Sequence, residues 1–341
     1  MRSRQSARDG GFILAAVLWV LAGLSLLASL VSDVTQSAAA RVNQLRTRTE
    51  FVREQQALRA EVIYWLANTV PTRSGYSDGA TFVSGANLPY AVAEAAVVQL
   101  QDLGGLLDIN QPEPSVMARL LVTCGVPADQ TPLLMDALDD YVDADNLSRA
   151  NGAEQDVYVR AGLQPPRNGP LIAVREVFGV WGWRQHQGAI EKSNCLDAFG
   201  ATGTGAAGGA VNLATAPASV LRASGLEGAE LEASLQLRAQ VGSNLQVAAA
   251  FDATLSGQGL FGIGRYAQKA IRVTQQAPNQ PWEYQYTLEF TPRDAARPWV
   301  IREPKIQALR PEQIARANGA SRWPELAPPK LIQNAPNRSP F

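Results

Sequence analysis

The sequence predicts an α+β fold: one long N-terminal helix, a small antiparallel sheet, and a large helical domain inserted between the early and late strands. Three observations carry this. Residues Phe12 to Leu30 form an uncharged apolar run, and apolar residues then recur at helical spacing with no Pro or Gly between Gly23 and Pro71. Strand-like segments occur before Gly105 and again after Gly264. Between them lie short apolar stretches punctuated by Pro and Gly.

The first helix is expected from about Phe12 to about Asn68. Its opening run, interrupted only by Gly23, Ser25 and Ser29, has the length that spans a bilayer. Beyond Asp33 the apolar set continues through Val34, Ala38, Val42, Leu45, Val52, Leu58, Val62 and Leu66, with Arg41, Arg46, Arg53, Arg59 and Glu61 as polar surface. One continuous helix would be roughly 85 Å long at about 1.5 Å per residue. Two helices broken near Ser32 are the alternative. Arg2, Arg4 and Arg8 precede the run, which places the N-terminus on the cytoplasmic side and the remainder outside it.

Thr81-Phe82-Val83 and Ala96 to Gln101 read as short strands. From Leu106 to Thr254 two stretches look alike. Leu107 to Leu121, followed by Cys124-Gly125-Val126, and Ala210 to Ala223, followed by Gly225-Leu226, each hold an Asn, a Pro at a helix start, an apolar helix and a Gly turn. We read them as a duplicated helical hairpin. Between the copies, Val174 to Val180 is helix-like. Tyr266 to Thr274, Trp282 to Phe290 and Trp299 to Glu303 read as the returning strands, and the Pro-rich chain beyond Ile306 as a loosely ordered tail.

Composition narrows the function. Hydrophobic residues are 46% and charged residues 18% of the 341, enough for a packed core. The net charge of -1 asks for no nucleic-acid partner, and the duplicated hairpins are poor in Lys and Arg, so protein packing is their better use. Gly203 to Gly208 matches a dinucleotide fingerprint in letters only, with no strand before it and no helix at its third Gly, and reads as a linker. His186 is the single histidine and supports no Ser-His-Asp set. Cys124 and Cys195 would meet an oxidising compartment if the chain is exported; a disulfide between them can then form, although spacing alone does not establish it.

The acidic stretch from Asp139 to Asp156 is the best metal candidate. Asp143, Asp145 and Glu154 take the first, third and twelfth places of a twelve-residue window, as in an EF-hand. Leu147 at the fifth place and Ser148 where the sharp turn needs Gly break that match. An irregular calcium loop and a solvated acidic loop both remain open on the residues alone.

The leader resembles that of type IV prepilins: a short basic segment, Gly11, the aromatic Phe12, then the helix. The resemblance implies cleavage between Gly11 and Phe12 by a prepilin peptidase and N-methylation of Phe12. A plain signal anchor is the alternative for this stretch. Prepilins carry Glu at the fifth mature position, where this chain has Ala16. A buried carboxylate in a bilayer is costly unless paired, and a subunit with none above it needs none. Together with Asp143-x-Asp145, Asn151-Gly152-Ala153-Glu154 and Asn212-Leu213-Ala214-Thr215-Ala216-Pro217, this resembles the K-type minor pseudopilin of type II secretion systems, from Arg2 to about Glu303.

That resemblance implies a pilin-like fold with a leader over 1–11, a helix over 12–70 (12–31 transmembrane), sheet regions over 71–105 and 256–305, the inserted domain over 106–255 and a tail over 306–341. It implies a non-enzymatic subunit in the inner membrane with its C-terminal bulk in the periplasm, at a pseudopilus tip. Expected partners are I-type and J-type minor pseudopilins, the major pseudopilin fibre, the inner-membrane assembly platform, the peptidase and exported proteins. It also implies structural calcium at Asp143, Asp145 and Glu154. A type IV pilus or competence minor pilin, and a membrane-anchored periplasmic enzyme, are the two competing readings.

Overall fold

The computed structural model describes residues 10–92, 96–201, 211–241, 270–278, 280–291, 294, 296–309 and 320–324. The chain divides at Leu58 into two compact units. The first is helical: α1 spans Gly10–Ala67 without a break, so the two-helix alternative is excluded. Its opening turns are long and apolar enough to cross a membrane. Side chains such as Leu14, Trp19 and Leu26 point outward with no protein cover, Trp19 at 80% exposure. Apolar surface of that extent suits lipid better than water. Ser25 and Ser29 each return their hydroxyls to the carbonyl four residues back, which satisfies them within such a helix.

In the second unit the last turns of α1 bury Val62, Ile63, Trp65 and Leu66. Arg59 donates to the Tyr284 hydroxyl at 2.9 Å. The short strands β1 (Val70–Pro71), β2 (Gly75–Ser77) and β3 (Phe82–Ser84) form a three-stranded antiparallel sheet. Then come β4 (Ala86–Val92), β5 (Ala96–Asp102) and β6 (Leu107–Asp108). The helical part follows, with α2 (Pro114–Thr123), α3 (Thr131–Val142), α4 (Gln155–Arg160), α5 (Gln187–Lys192), β7 (Phe199–Gly200), α6 (Ala218–Ala223) and α7 (Gly228–Val241). The chain returns through β8 (Ala270–Gln276), β9 (Trp282–Phe290), β10 (Trp299–Ala308) and β11 (Ser321–Arg322).

The main sheet has the order β10-β9-β8-β5-β4-β11. β5 and β8 are antiparallel neighbours, with Leu100 opposite Val273. Two antiparallel neighbours need only a tight turn between them, so the helical domain stands where a hairpin loop would. Surface connections tolerate such growth because loop entropy rises slowly with length. β6 and β7 pair in parallel at the base of the insertion, a detail an all-helical reading omits.

The two similar stretches fold alike. α2 ends with Gly125 at φ 88° and α6 with Gly225 at φ 102°. In the first, Val126 N–H bonds Leu121 O at 3.0 Å and Gly125 N–H bonds Val122 O at 3.0 Å. In the second, Leu226 N–H bonds Leu221 O at 3.1 Å and Gly225 N–H bonds Arg222 O at 3.0 Å. Each pair of bonds is a Schellman motif, and glycine alone takes that left-handed position without strain. α2 and α6 pack on each other, and Met117, Leu120, Leu134, Leu138, Val220 and Leu231 share one core. Either hairpin alone would leave its apolar face in water.

Several expectations need correction. Val174–Gly179 is a 3-10 turn, tighter than the helix expected there. β10 does not stop at Glu303. The strand passes Pro304 through a bulge between Arg302 and Lys305 and runs to Ala308. The chain beyond Ile306 is not uniformly loose: β11 pairs in parallel with β4, and Trp323 is 3% exposed. Its indole sits edge-on to Trp65 at 5.2 Å and to Tyr90 at 6.1 Å. Burial of an aromatic ring there outweighs the Pro-rich composition around it. The linker Gly203 to Gly208, and Tyr266 to Lys269 of the expected strand, lie outside the described residues.

Candidate metal loop and junction of the inserted domain

The loop between α3 and α4 brings the three predicted carboxylates together. Asp143 is the C-cap of α3, and Glu154 is the N-cap of α4. With Asp145, each contributes an oxygen, and these oxygens lie within 4.8 Å of one another. Glu154 is 3% exposed. Neither Glu154 carboxylate oxygen nor Asp143 Oδ1 has a hydrogen-bond partner. Burial first, then the charges of Asp140, Asp143 and Asp145, raise the Glu154 carboxyl above its ordinary range.

The surrounding residues shape the loop. Asp140 is fully buried, and its two oxygens accept from Arg149 N–H at 3.2 and 3.1 Å. Asp136 Oδ2 accepts from Asn151 N–H at 3.1 Å and Asn151 Nδ2 at 2.9 Å. Asp145 Oδ1 caps Leu147 N–H at 2.8 Å, and Asn168 Nδ2 reaches Asp145 O at 2.7 Å. A Cβ on Gly152 would lie 1.9 Å from Asp140 Oδ2, which explains the glycine in Asn151-Gly152-Ala153-Glu154. Arg149 approaches Asp139 at 3.4 Å and Asp140 at 3.6 Å. It is half exposed and serves those two carboxylates.

This donor set fits a hard divalent cation. Calcium takes several carboxylate and carbonyl oxygens in flexible geometry. Here buried carboxylate oxygens without partners converge between two helix ends, so a cation would offset their repulsion and tie α3 to α4. Calcium bound there would stabilise the fold by about 2.7 kcal/mol at a hundredfold excess over Kd, so the melting midpoint is expected to rise with calcium and Glu154→Gln to remove that response. The pH dependence without calcium has a definite sign. The folded-state pKa of Glu154 is raised, so its contribution is present below the ordinary Glu range and lost as pH rises through the folded value. The calcium-free chain should gain stability on mild acidification from neutral pH, whereas acid should weaken the calcium-loaded chain by discharging its ligands.

The cysteines meet. Cys124, the C-cap of α2, is disulfide-bonded to Cys195, with Cα atoms 5.8 Å apart. His186 is half-buried ahead of α5. Gly11 and Phe12 lie in the first turns of α1.

Sequence reasoning passed over the junction between sheet and insertion. Asp102, at the end of β5, is fully buried. It accepts from Gly104 N–H at 3.0 Å, Asn212 Nδ2 at 3.0 Å and Thr215 Oγ1 at 2.8 Å. Asn212 Nδ2 also reaches Arg73 O at 2.8 Å, and Gln101 Nε2 reaches Thr215 O at 3.0 Å. Arg238 of α7 donates to the carbonyls of Leu213 and Ala216 from the other side. The Asn212 to Pro217 motif is thus the strut that rejoins the inserted domain to the sheet. Gly104-Gly105 carried a signal for it: a Cβ on Gly105 would lie 2.5 Å from Thr215 Oγ1 and 2.6 Å from Thr215 C.

Residues 106–189, the first half of the insertion with the acidic loop, match the model of the family "Type II secretion system (T2SS), protein K". A type II secretion system protein K of Pectobacterium carotovorum subsp. carotovorum is 29% identical over 208 residues, covering 53% of this chain and 60% of that protein. The chain thus spans less than two thirds of that relative's length. A crystal structure of the GspK-GspI-GspJ complex from enterotoxigenic Escherichia coli aligns over 77% of this chain and 100% of the matched chain, at 15% identity and a TM-score of 0.45. In sequence, the chain is similar to type II secretion protein K, with the family model covering residues 106–189.

Proposed function

We propose that this chain is a K-type minor pseudopilin, a non-enzymatic subunit at the tip of the type II secretion pseudopilus. The observation that carries the reading is the protein K match at residues 106–189, on a domain inserted between adjacent strands of a sheet that follows one long apolar helix. The helix from Phe12 holds the chain in the inner membrane with its N-terminus cytoplasmic and its bulk periplasmic. Fibre contacts run helix to helix with smaller I-type and J-type minor pseudopilins, and below them with the major pseudopilin. Ala16 lacks the carboxylate that would reach a subunit above, and the inserted domain adds bulk that blocks further addition. Assembly from the platform then starts at this subunit and carries folded proteins outward. Calcium at Asp143, Asp145 and Glu154 ties the metal loop in the periplasm and takes no part in chemistry.

Processing tests the class. Mass spectrometry of membranes should find a peptide beginning at N-methylated Phe12 only where the prepilin peptidase is present. An intact Met1, or a cut near Ala40, would return the chain to plain anchored or secreted proteins.

A further inference from the structure

A second site lies where the inserted domain faces the sheet. A cleft of about 550 Å³ opens between strands β8 to β10, which contribute Arg272, Thr287, Glu303 and Lys305, and the inserted domain, which contributes Arg175 and Asp197. Glu303 stands at the β10 bulge with φ 50°, a left-handed conformation that a side-chain-bearing residue seldom adopts. Such strain persists where the surroundings enforce it, and it marks functional positions more often than others. Oε1 of the Glu303 carboxylate is buried and has no hydrogen-bond partner.

The neighbouring cations are largely committed. Arg272 donates to the carbonyls of Asp197 and Phe199, and Arg175 pairs with Glu191. Lys305 is exposed. Burial raises the Glu303 carboxyl, the charges of Arg272 and Lys305 act against that, and Glu176 adds to it. An unsatisfied buried acceptor is costly, and a charged donor would relieve it.

The sheet edge supplies the second half of the argument. Among the described residues β10 pairs with β9 alone, whereas the opposite edge, β4, is covered in part by the chain's own β11. An edge strand offers backbone donors and acceptors to an added strand. The bulge and Pro304 interrupt that edge at the point where Glu303 enters the cleft.

We infer that the β10 edge and its cleft bind an extended polypeptide segment of a partner protein, which places one Arg or Lys side chain against Glu303. The segment is short, since the bulge divides the edge, and specificity lies in the basic side chain. This goes beyond the pseudopilin reading and does not need it.

Photocrosslinking in secreting cells tests it. The full chain carries p-benzoylphenylalanine in place of Ala308, which lines the cleft, or in place of Val159 on α4 as the control position. The expected result is one mapped partner peptide with Arg or Lys within two residues of the crosslink. Glu303→Gln should lower its yield about tenfold or more, the worth of one charged hydrogen bond, and Glu303→Lys should abolish it. The Glu303→Gln chain must keep its disulfide and melting midpoint; if it does not, Glu303→Asp, which keeps the charge on a shorter stem, provides the comparison. Equal yields from the charged and neutral variants, a partner peptide without a basic residue, or no polypeptide crosslink above the Val159 position would overturn the proposal. Processing at Phe12 is read in the same membranes, so failure of the pseudopilin reading is seen separately.

Discussion

Asp102→Ala is expected to destabilise the second unit by about 3 kcal/mol or more, because each buried donor left without its acceptor costs about 1–3 kcal/mol. Three donors converge on this carboxylate, from Gly104, Asn212 and Thr215, and none of its surface reaches water. Asn212 and Thr215 keep secondary partners, Arg73 O and Asn212 O, so the loss falls short of three complete penalties. Asp102→Asn should lose less, since one amide oxygen still accepts while the amide nitrogen faces donors. Urea unfolding of the full chain in detergent, followed by the fluorescence of buried Trp183 and Trp323, measures the difference. A loss below about 1 kcal/mol for the alanine variant, the size of one ordinary hydrogen bond, would mean that the strut is held by packing and not by this polar cluster. The effect should appear as detachment of the inserted domain from the sheet, because the cluster joins β5 to the return segment and to the Arg73 turn.

The second large effect concerns the disulfide. Cys124 and Cys195 are 71 residues apart in sequence, and both are buried. Closing a loop of that length removes chain entropy from the unfolded state worth about 4 kcal/mol. The bridge ties the end of α2 to the segment that leads into β7, across the whole first half of the insertion. Replacing both cysteines by serine should lower stability by about 2–5 kcal/mol. The parent chain should lose a similar amount in a thiol reductant while the serine variant does not respond. Equal response of both proteins to reductant would place the stabilisation elsewhere. Because the acidic loop lies inside the closed segment, the proposed calcium binding should also be weaker in the serine variant, since more of the loop must be ordered on binding.

Much of this architecture was readable in the residues, and the limits have physical reasons. The helix was visible because one apolar period runs from Phe12 to Leu66 with no Pro or Gly after Gly23. β9 was visible because Trp282 to Phe290 alternates cleanly. β4 was missed since Asn87 takes φ 58° and Pro89 follows, both turn signals; an edge position with a bulge absorbs them. The strand continues past Pro304 to Ala308 because a bulge there absorbs the proline, which local pattern does not show. β11 and Trp323 depend on tertiary contact with β4, Trp65 and Tyr90, which local composition does not encode.

The candidate site divides the same way. The spacing of Asp143, Asp145 and Glu154 was legible as a partial calcium pattern, and the fold brings all three together. Asp140 and Asp136 were not distinguishable from their acidic neighbours, because their role is to receive backbone N–H groups from residues 149 and 151. The close approach of Gly152 to Asp140 and of Gly105 to Thr215 turns two unexplained glycines into packing requirements. Asp102 meets Asn212 across 110 residues of sequence, beyond any local pattern.

The proposed function requires a subunit that sits once, at one end of the fibre. Gold labelling of a tag beside the exposed Leu147 in the inserted domain, viewed on pseudopili assembled in cells that overproduce the major pseudopilin, tests it most directly. The account predicts label at a single end of each fibre, and far fewer fibres when this chain is deleted. Label repeated along the fibre length, or fibres of unchanged number without the chain, would contradict it.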